Sequence, residues 1–149
     1  MGAETPGRVM LQELTDTARA VFGARAVSIL VADVDGGELV FAAVSGEGAD
    51  TLPGRRISAA RGISGHVLET GEPLVVEDVT QDARFAAGFA RSTGYVPKGI
   101  MAAPIPGDER PLGVMSVLDR PHRSTLNLIE VELLERFCRL VGLALALDA

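Results

Sequence analysis

The chain of 149 residues has no tryptophan, one tyrosine, five phenylalanines and one cysteine. With rings this scarce, the core must be built from aliphatic side chains. A single cysteine excludes an internal disulfide and any cysteine-rich metal site. Two histidines without a cysteine cluster argue against a metal centre. No apolar run reaches the roughly 18 residues of a membrane span. The opening MGAETPGRVM lacks the charged-then-apolar order of a signal peptide. A cytoplasmic location with no membrane partner is therefore expected. Basic clusters are missing too: the net charge is -6, the pI is about 4.9, and the densest arginine group is Arg55, Arg56 and Arg61. Nucleic acid, which is bound by clustered Lys and Arg, is not an expected partner.

What is present suits one domain. Hydrophobic residues make up 47%, and a chain this long buries roughly 70% of its unfolded surface. Residues 1–8 are expected to be a flexible N-terminus and residues 9–149 a single domain. Residues 9–22 have helical periodicity, with Leu11, Leu14, Ala18, Val21 and Phe22 on one face and Gln12, Asp16 and Arg19 on the other. Gly23 ends that helix. AVSILVAD (26–33) and ELVFAAVS (38–45) read as strands around a glycine-rich hairpin. RRISAA (55–60) is a short strand, GISGHVLETG a short helix closed by Gly71, and LVVED (74–78) a strand. Residues 80–92 are weakly helical. GIMAAPI (99–105) and PLGVMSVLD (111–119) are strands, and residues 126–147 form a long helix. Short antiparallel connections dominate, so the expected fold is α+β, an antiparallel sheet with helices on both faces.

These residues resemble the GAF domain family, a regulatory module related in fold to PAS domains. The match lies in Gly62-Ile63-Ser64-Gly65-His66-Val67, Thr70-Gly71-Glu72-Pro73-Leu74, Glu77-Asp78-Val79 and Asp82-Ala83-Arg84-Phe85. It continues in Met101-Ala102-Ala103-Pro104-Ile105, Pro111-Leu112-Gly113-Val114-Met115 and the acidic, leucine-rich last helix. The resemblance implies a sheet of five or six strands. It places the terminal helices on one face and a pocket under short helices and loops on the other. Known members bind cyclic nucleotides, tetrapyrroles, haem or small metabolites, or serve as dimerisation units.

Cyclic-nucleotide-binding members carry an Asn-Lys, Phe, Asp-Glu constellation. The matching positions here are Asp119-Arg120, Leu126 and Glu130-Val131, a degraded form that lowers the expectation of cyclic nucleotide. The resemblance implies an ion pair between Arg120 and Glu130. Bilin-binding members use a pocket cysteine, but Cys138 lies on an apolar helical stripe, so covalent bilin is not expected. Haem needs an axial ligand. His66 is the candidate, but its apolar neighbours Ile63 and Val67 favour a structural role. Free methionine sulfoxide reductases of this fold need several cysteines for thiol exchange, which one does not supply. No Ser-His-Asp, phosphate-loop or dinucleotide pattern occurs, so no enzyme activity is expected.

Pocket walls are expected from Phe85, Phe89 and Tyr95 on the cover and from Met101, Ala103 and Met115 on strands. Asp78 is expected at the pocket mouth and His66 at its edge. The last helix carries two apolar stripes. One is Leu126, Ile129, Leu133, Phe137, Leu140, Ala144 and Leu147; the other is Val131, Leu134, Cys138, Val141 and Leu145. Together they exceed the face that one sheet needs, so the second stripe is expected at a homodimer interface. The functional expectation is a homodimeric sensory module that binds a small molecule and passes its signal to a protein partner. The alternatives are a dimerisation domain with a vestigial pocket and, less expected, a redox enzyme.

Overall fold

The computed structural model describes residues 4–33, 35, 37–121 and 128–149. Helix α1 spans Pro6–Phe22, so it takes in part of the segment expected to be flexible. The reason is local. The Thr5 hydroxyl accepts a hydrogen bond from the Arg8 amide at 3.2 Å, and Pro6 occupies a first-turn position whose N–H would have no helical partner. Gly23, with φ 62°, closes the helix in the left-handed conformation. Leu11, Thr15, Ala18 and Phe22 are buried, whereas Val21, expected on that face, is exposed.

Strands β1 (Ala26–Asp33) and β2 (Glu38–Gly46) follow, then β3 (Arg56–Ser58), helix α2 (Gly62–Thr70) and β4 (Leu74–Val76). A single 3₁₀ turn (Val79–Gln81) and the short helix α3 (Ala87–Ser92) lead to β5 (Ile100–Ile105), β6 (Gly113–Leu118) and helix α4 (Leu128–Leu147). The expected start of the last helix, with Leu126, lies outside the described residues, as does His122.

The strands form one antiparallel sheet in the order β3-β2-β1-β6-β5-β4. Its register slips once. Ile29 faces Ala43 but Leu30 faces Phe41, so Ala42 is an extra residue in β2. Such a bulge re-aims the side chains beyond it. Here it turns Phe41 onto the face that carries Leu30.

Helices α1 and α4 pack together on one face of the sheet. They cover a core that includes Val27, Ile29, Met101, Ala103, Ile105, Met115 and Val117. The two helices run antiparallel and are tied at one end. Asp148 accepts hydrogen bonds from the Thr5 hydroxyl at 2.6 Å and the Gly7 amide at 3.2 Å. A side chain at Gly7 would lie 2.5 Å from Asp148 Oδ2, so only glycine permits this closure. On the other face, α2 sets Ile63 and Val67 against Ile100, Ala102 and Val114. Gly65 allows that seat, since a Cβ there would stand 2.6 Å from the Ala59 carbonyl oxygen.

Candidate functional site

The face of the sheet opposite α1 and α4 carries a cavity of about 1280 Å³. Its floor is the row of alternate strand residues that point this way. Strand β1 contributes Ala26, Ser28 and Leu30, β2 contributes Phe41 and Val44, and β6 contributes Ser116 and Leu118. Ser28 and Ser116 are direct cross-strand partners, and the Ser64 hydroxyl of α2 lies 3.5 Å from that of Ser116. The cover comes from the segment around α3. Phe89 stacks on Phe41, with ring centroids 6.0 Å apart and planes 15° from parallel. The Arg55 guanidinium lies 4.9 Å from the centre of the Phe89 ring, within cation–π reach.

The cover is fastened at Tyr95. Its phenolic hydroxyl donates to the Asp119 carboxylate. The other Asp119 oxygen accepts from the backbone amides of Lys98 at 2.8 Å and Gly99 at 2.9 Å. Asp119 sits at φ 54°, the one positive φ of a non-glycine residue among the described residues. Three convergent hydrogen bonds offset that backbone strain. Burial, and then the Asp119 hydrogen bond, push the Tyr95 phenol well above its ordinary range. Arg25 lies over the same ring at 5.1 Å and pairs with Glu47 at 3.1 Å.

The residues expected around the pocket divide cleanly. Phe85, Phe89, Tyr95 and His66 line the cavity. Met101, Ala103 and Met115 do not: they are buried against α1 and α4, on the opposite face. Central strands are apolar on both faces, so composition could not say which alternation faced the pocket. Asp78 does not line the cavity either. Its Oδ1 accepts from the Thr80 amide at 3.0 Å and the Thr80 hydroxyl at 2.6 Å, which holds its carboxyl below the usual range. Asp82 is similarly engaged. Hydrogen bonds from the Arg84 side chain, from Nε to Oδ1 at 2.8 Å and from Nη2 to Oδ2, pull its carboxyl down to about 2. Both acids are turn-formers, not an acid–base pair. Sequence reasoning missed Ser28, Ser116, Phe41 and Leu30. The two serines were visible as lone polar residues in apolar strands, whereas Phe41 depended on the bulge.

The ion pair between Arg120 and Glu130 is present, with Nη1 donating to Oε1 at 2.7 Å. It joins the end of β6 to the first turn of α4. The expected dimer stripe is corrected. Leu134, Cys138 and Val141 are buried in the helical core, and Val131 and Leu145 pack against it. Small residues decide the facing: α4 approaches the sheet where Cys138 Sγ lies 3.7 Å from the Ala103 carbonyl oxygen. Burial pushes the Cys138 thiol up to about 12, so a reactive thiolate is disfavoured there. The outward face of α4 instead presents Ile129, Leu133, Leu140, Leu143 and Leu147, with Ile129 77% and Leu143 66% exposed. Among the described residues no helix is long and apolar enough to cross a membrane, and no group of His, Cys, Asp and Glu is placed to hold a metal.

Comparison with known proteins places this geometry. The GAF domain model matches residues 7–145. A Drosophila melanogaster protein, dual 3′,5′-cyclic-AMP and -GMP phosphodiesterase 11, is 31% identical over 60% of the chain. The probable 3′,5′-cyclic phosphodiesterase pde-5 of Caenorhabditis elegans is 31% identical over 89% of it. The matched region spans only 6% and 17% of those two relatives. Among solved structures, the GAF domain of a phosphoenolpyruvate-protein phosphotransferase from Coxiella burnetii superposes with a TM-score of 0.84 at 19% identity. That match covers 97% of this chain and 84% of the other.

Proposed function

Because the chain belongs to the GAF domain family, we propose that it is a sensory module of signal transduction that binds a small molecule and acts as a homodimer. The observation that carries this reading is the cavity of about 1280 Å³ under an aromatic cover. A vestigial pocket would hold less than one ring, and this one has room for several. A ligand can shift the module only if it binds two arrangements with different affinity. The cover is the part placed to differ. Tyr95 ties it to Asp119, and the next residue, Arg120, reaches α4 through Glu130. Ligand seating under Phe85 and Phe89 is therefore linked to the packing of the last helix.

The outward face of α4 supports the homodimer. Positions 129, 133, 136, 140, 143 and 147 alternate steps of four and three, the seam spacing of a coiled coil. All but Arg136 are large aliphatic residues. Glu132, Arg136 and Arg139 are exposed there, and a two-fold related copy can pair charges of both signs. The adjacent α1 adds the exposed Met10 and Val21. The signal then passes to a protein partner or to a further domain. The redox alternative has no support at Cys138, whose thiol is buried and held protonated.

Native mass spectrometry of protein purified from its own host tests both parts. The expected result is a dimer that retains a small molecule. Light scattering that gives only the 15.6 kDa monomer at micromolar concentration would remove the dimer. A thermal-shift screen that includes cyclic nucleotides tests the ligand. A true ligand at 100 times its dissociation constant stabilises by about 2.7 kcal/mol.

A further inference from the structure

The chain has few rings, and it places most of them here. Of five phenylalanines and one tyrosine, Phe41, Phe85, Phe89 and Tyr95 line the cavity. The remaining two, Phe22 and Phe137, pack on each other in the helical layer. The charged lining residues tell the opposite story. Every Arg, Asp and Glu that lines the cavity is exposed, so charge is confined to its mouth. The floor offers carbon and hydroxyls.

One of those hydroxyls has no partner. Ser28 is only 6% exposed, and among the described residues none hydrogen-bonds its side chain. Yet no fully enclosed side-chain N or O atom among the described residues is left unsatisfied. The Ser28 hydroxyl therefore opens into the cavity. Its cross-strand partner Ser116, 4% exposed, has only the 3.5 Å contact with Ser64. A ligand that covers these hydroxyls displaces the water that reaches them, so a group that hydrogen-bonds to them avoids the cost of leaving them unpaired. A charge seated at the same depth would meet no counter-charge and would be strongly penalised.

We infer that the cavity takes an uncharged aromatic molecule bearing a carbonyl or hydroxyl, with that group on Ser28 and Ser116 and the ring beneath Phe85 and Phe89. Serine can donate and accept, so either group is served. The aromatic walls favour a flat partner through offset or edge contacts. The two serines are the specificity-determining residues, because a site built around hydroxyls discriminates against isosteres that leave them unpaired. This inference rests on the sensing function proposed above.

The test uses the full chain and three probes: coumarin, a neutral aromatic lactone; naphthalene, a fused pair of rings with no polar group; and inorganic phosphate. Calorimetry gives affinities and amide NMR shifts locate the site. Coumarin is expected to bind more tightly than naphthalene and to shift residues 28 and 116. Ser28→Ala and Ser116→Ala are expected to weaken coumarin about tenfold while leaving naphthalene within about twofold. If either variant melts early, Ser64→Ala on α2 serves instead, with the same pattern expected. Equal loss for both ring probes, or no loss for coumarin, overturns the assignment of the serines. Phosphate bound at these residues more tightly than coumarin overturns the ligand class but leaves a sensor. If none of the probes binds and protein from its own host retains no molecule, both this inference and the sensing function fail. If it retains one, a charged or aliphatic molecule overturns the inference and a neutral aromatic one upholds it.

Discussion

The hydroxyl of Tyr95 donates to a carboxylate oxygen of Asp119, so the cover of the cavity is fastened to the end of a central strand by one side chain. A hydrogen bond to a charged acceptor contributes about 1.5–3 kcal/mol. Tyr95→Phe keeps the ring and removes the bond, and is expected to destabilise by about 1–2 kcal/mol in urea denaturation. The pH dependence follows from the raised phenol. The stabilisation is fully present below the ordinary tyrosine value of 10.0 and is lost as the pH rises above it. The stability gap between wild type and Tyr95→Phe should therefore close on the alkaline side. A gap that stays constant from neutral to alkaline pH would contradict the bond.

Arg120 and Glu130 are mostly enclosed, with side chains 9% and 18% exposed. A pair this sheltered is costly to break from one side, because the remaining charge loses this counter-charge in a poorly solvated place. Arg120→Ala is expected to cost about 3 kcal/mol. The double variant with Glu130→Ala is expected to cost less than the sum of the two single changes. Chemical denaturation of all four forms measures this coupling, and full additivity would place the two residues in separate environments.

Gly65 is where α2 packs against the turn that follows β3. Gly65→Ala would push a methyl to 2.6 Å from the Ala59 carbonyl oxygen. Backbone must move, at a cost of about 1–3 kcal/mol. Gly88→Ala in α3 is the control, since a Cβ there meets nothing within 4 Å and alanine favours helix by up to about 1 kcal/mol. Melting temperatures should move in opposite directions for the two changes.

Leu140→Glu with Leu143→Glu tests the outward face of α4. Both residues are exposed, at 47% and 66%, so each change is expected to alter the stability of a monomer by no more than about 0.5 kcal/mol. Light scattering should then report a monomer in place of the proposed wild-type dimer. An unchanged mass would place any interface elsewhere.

Much of the architecture could be read in the residues. Gly23 and Gly71 end their helices where expected, both in the left-handed conformation. The hairpins and the long last helix follow from apolar runs broken by turn residues. Faces were harder to read than elements. In β5 and β6 nearly every residue is buried, so alternation carries no contrast, and Met101, Ala103 and Met115 were placed on the wrong side. The last helix posed the same difficulty. Its apolar residues surround most of the wheel, and only the close approach at Cys138 and Ala103 shows which stripe faces the sheet. Within the cover, Tyr95 is legible as a pocket residue, but its hydrogen-bond acceptor 24 residues away depends on how the chain packs in three dimensions.

The extra residue at Ala42 sets the phase of β2. Before it, odd-numbered positions such as Leu39 and Phe41 lie on the face that carries the cavity; after it, the even-numbered Val44 does. The strand therefore behaves like a text with a frame. Replacing Ala42, which is exposed, changes one letter and leaves the reading intact. Deleting it closes the bulge, because Phe41 and Ala43 then follow one another opposite Leu30 and Ile29, the partners they already have. The frame breaks only if Ala42 is itself drawn into the ladder opposite Leu30. Phe41 would then face Val31 and turn to the helix-covered side, because a one-residue slip inverts every side chain. By absorbing one surplus residue, the bulge keeps the aromatic wall in place.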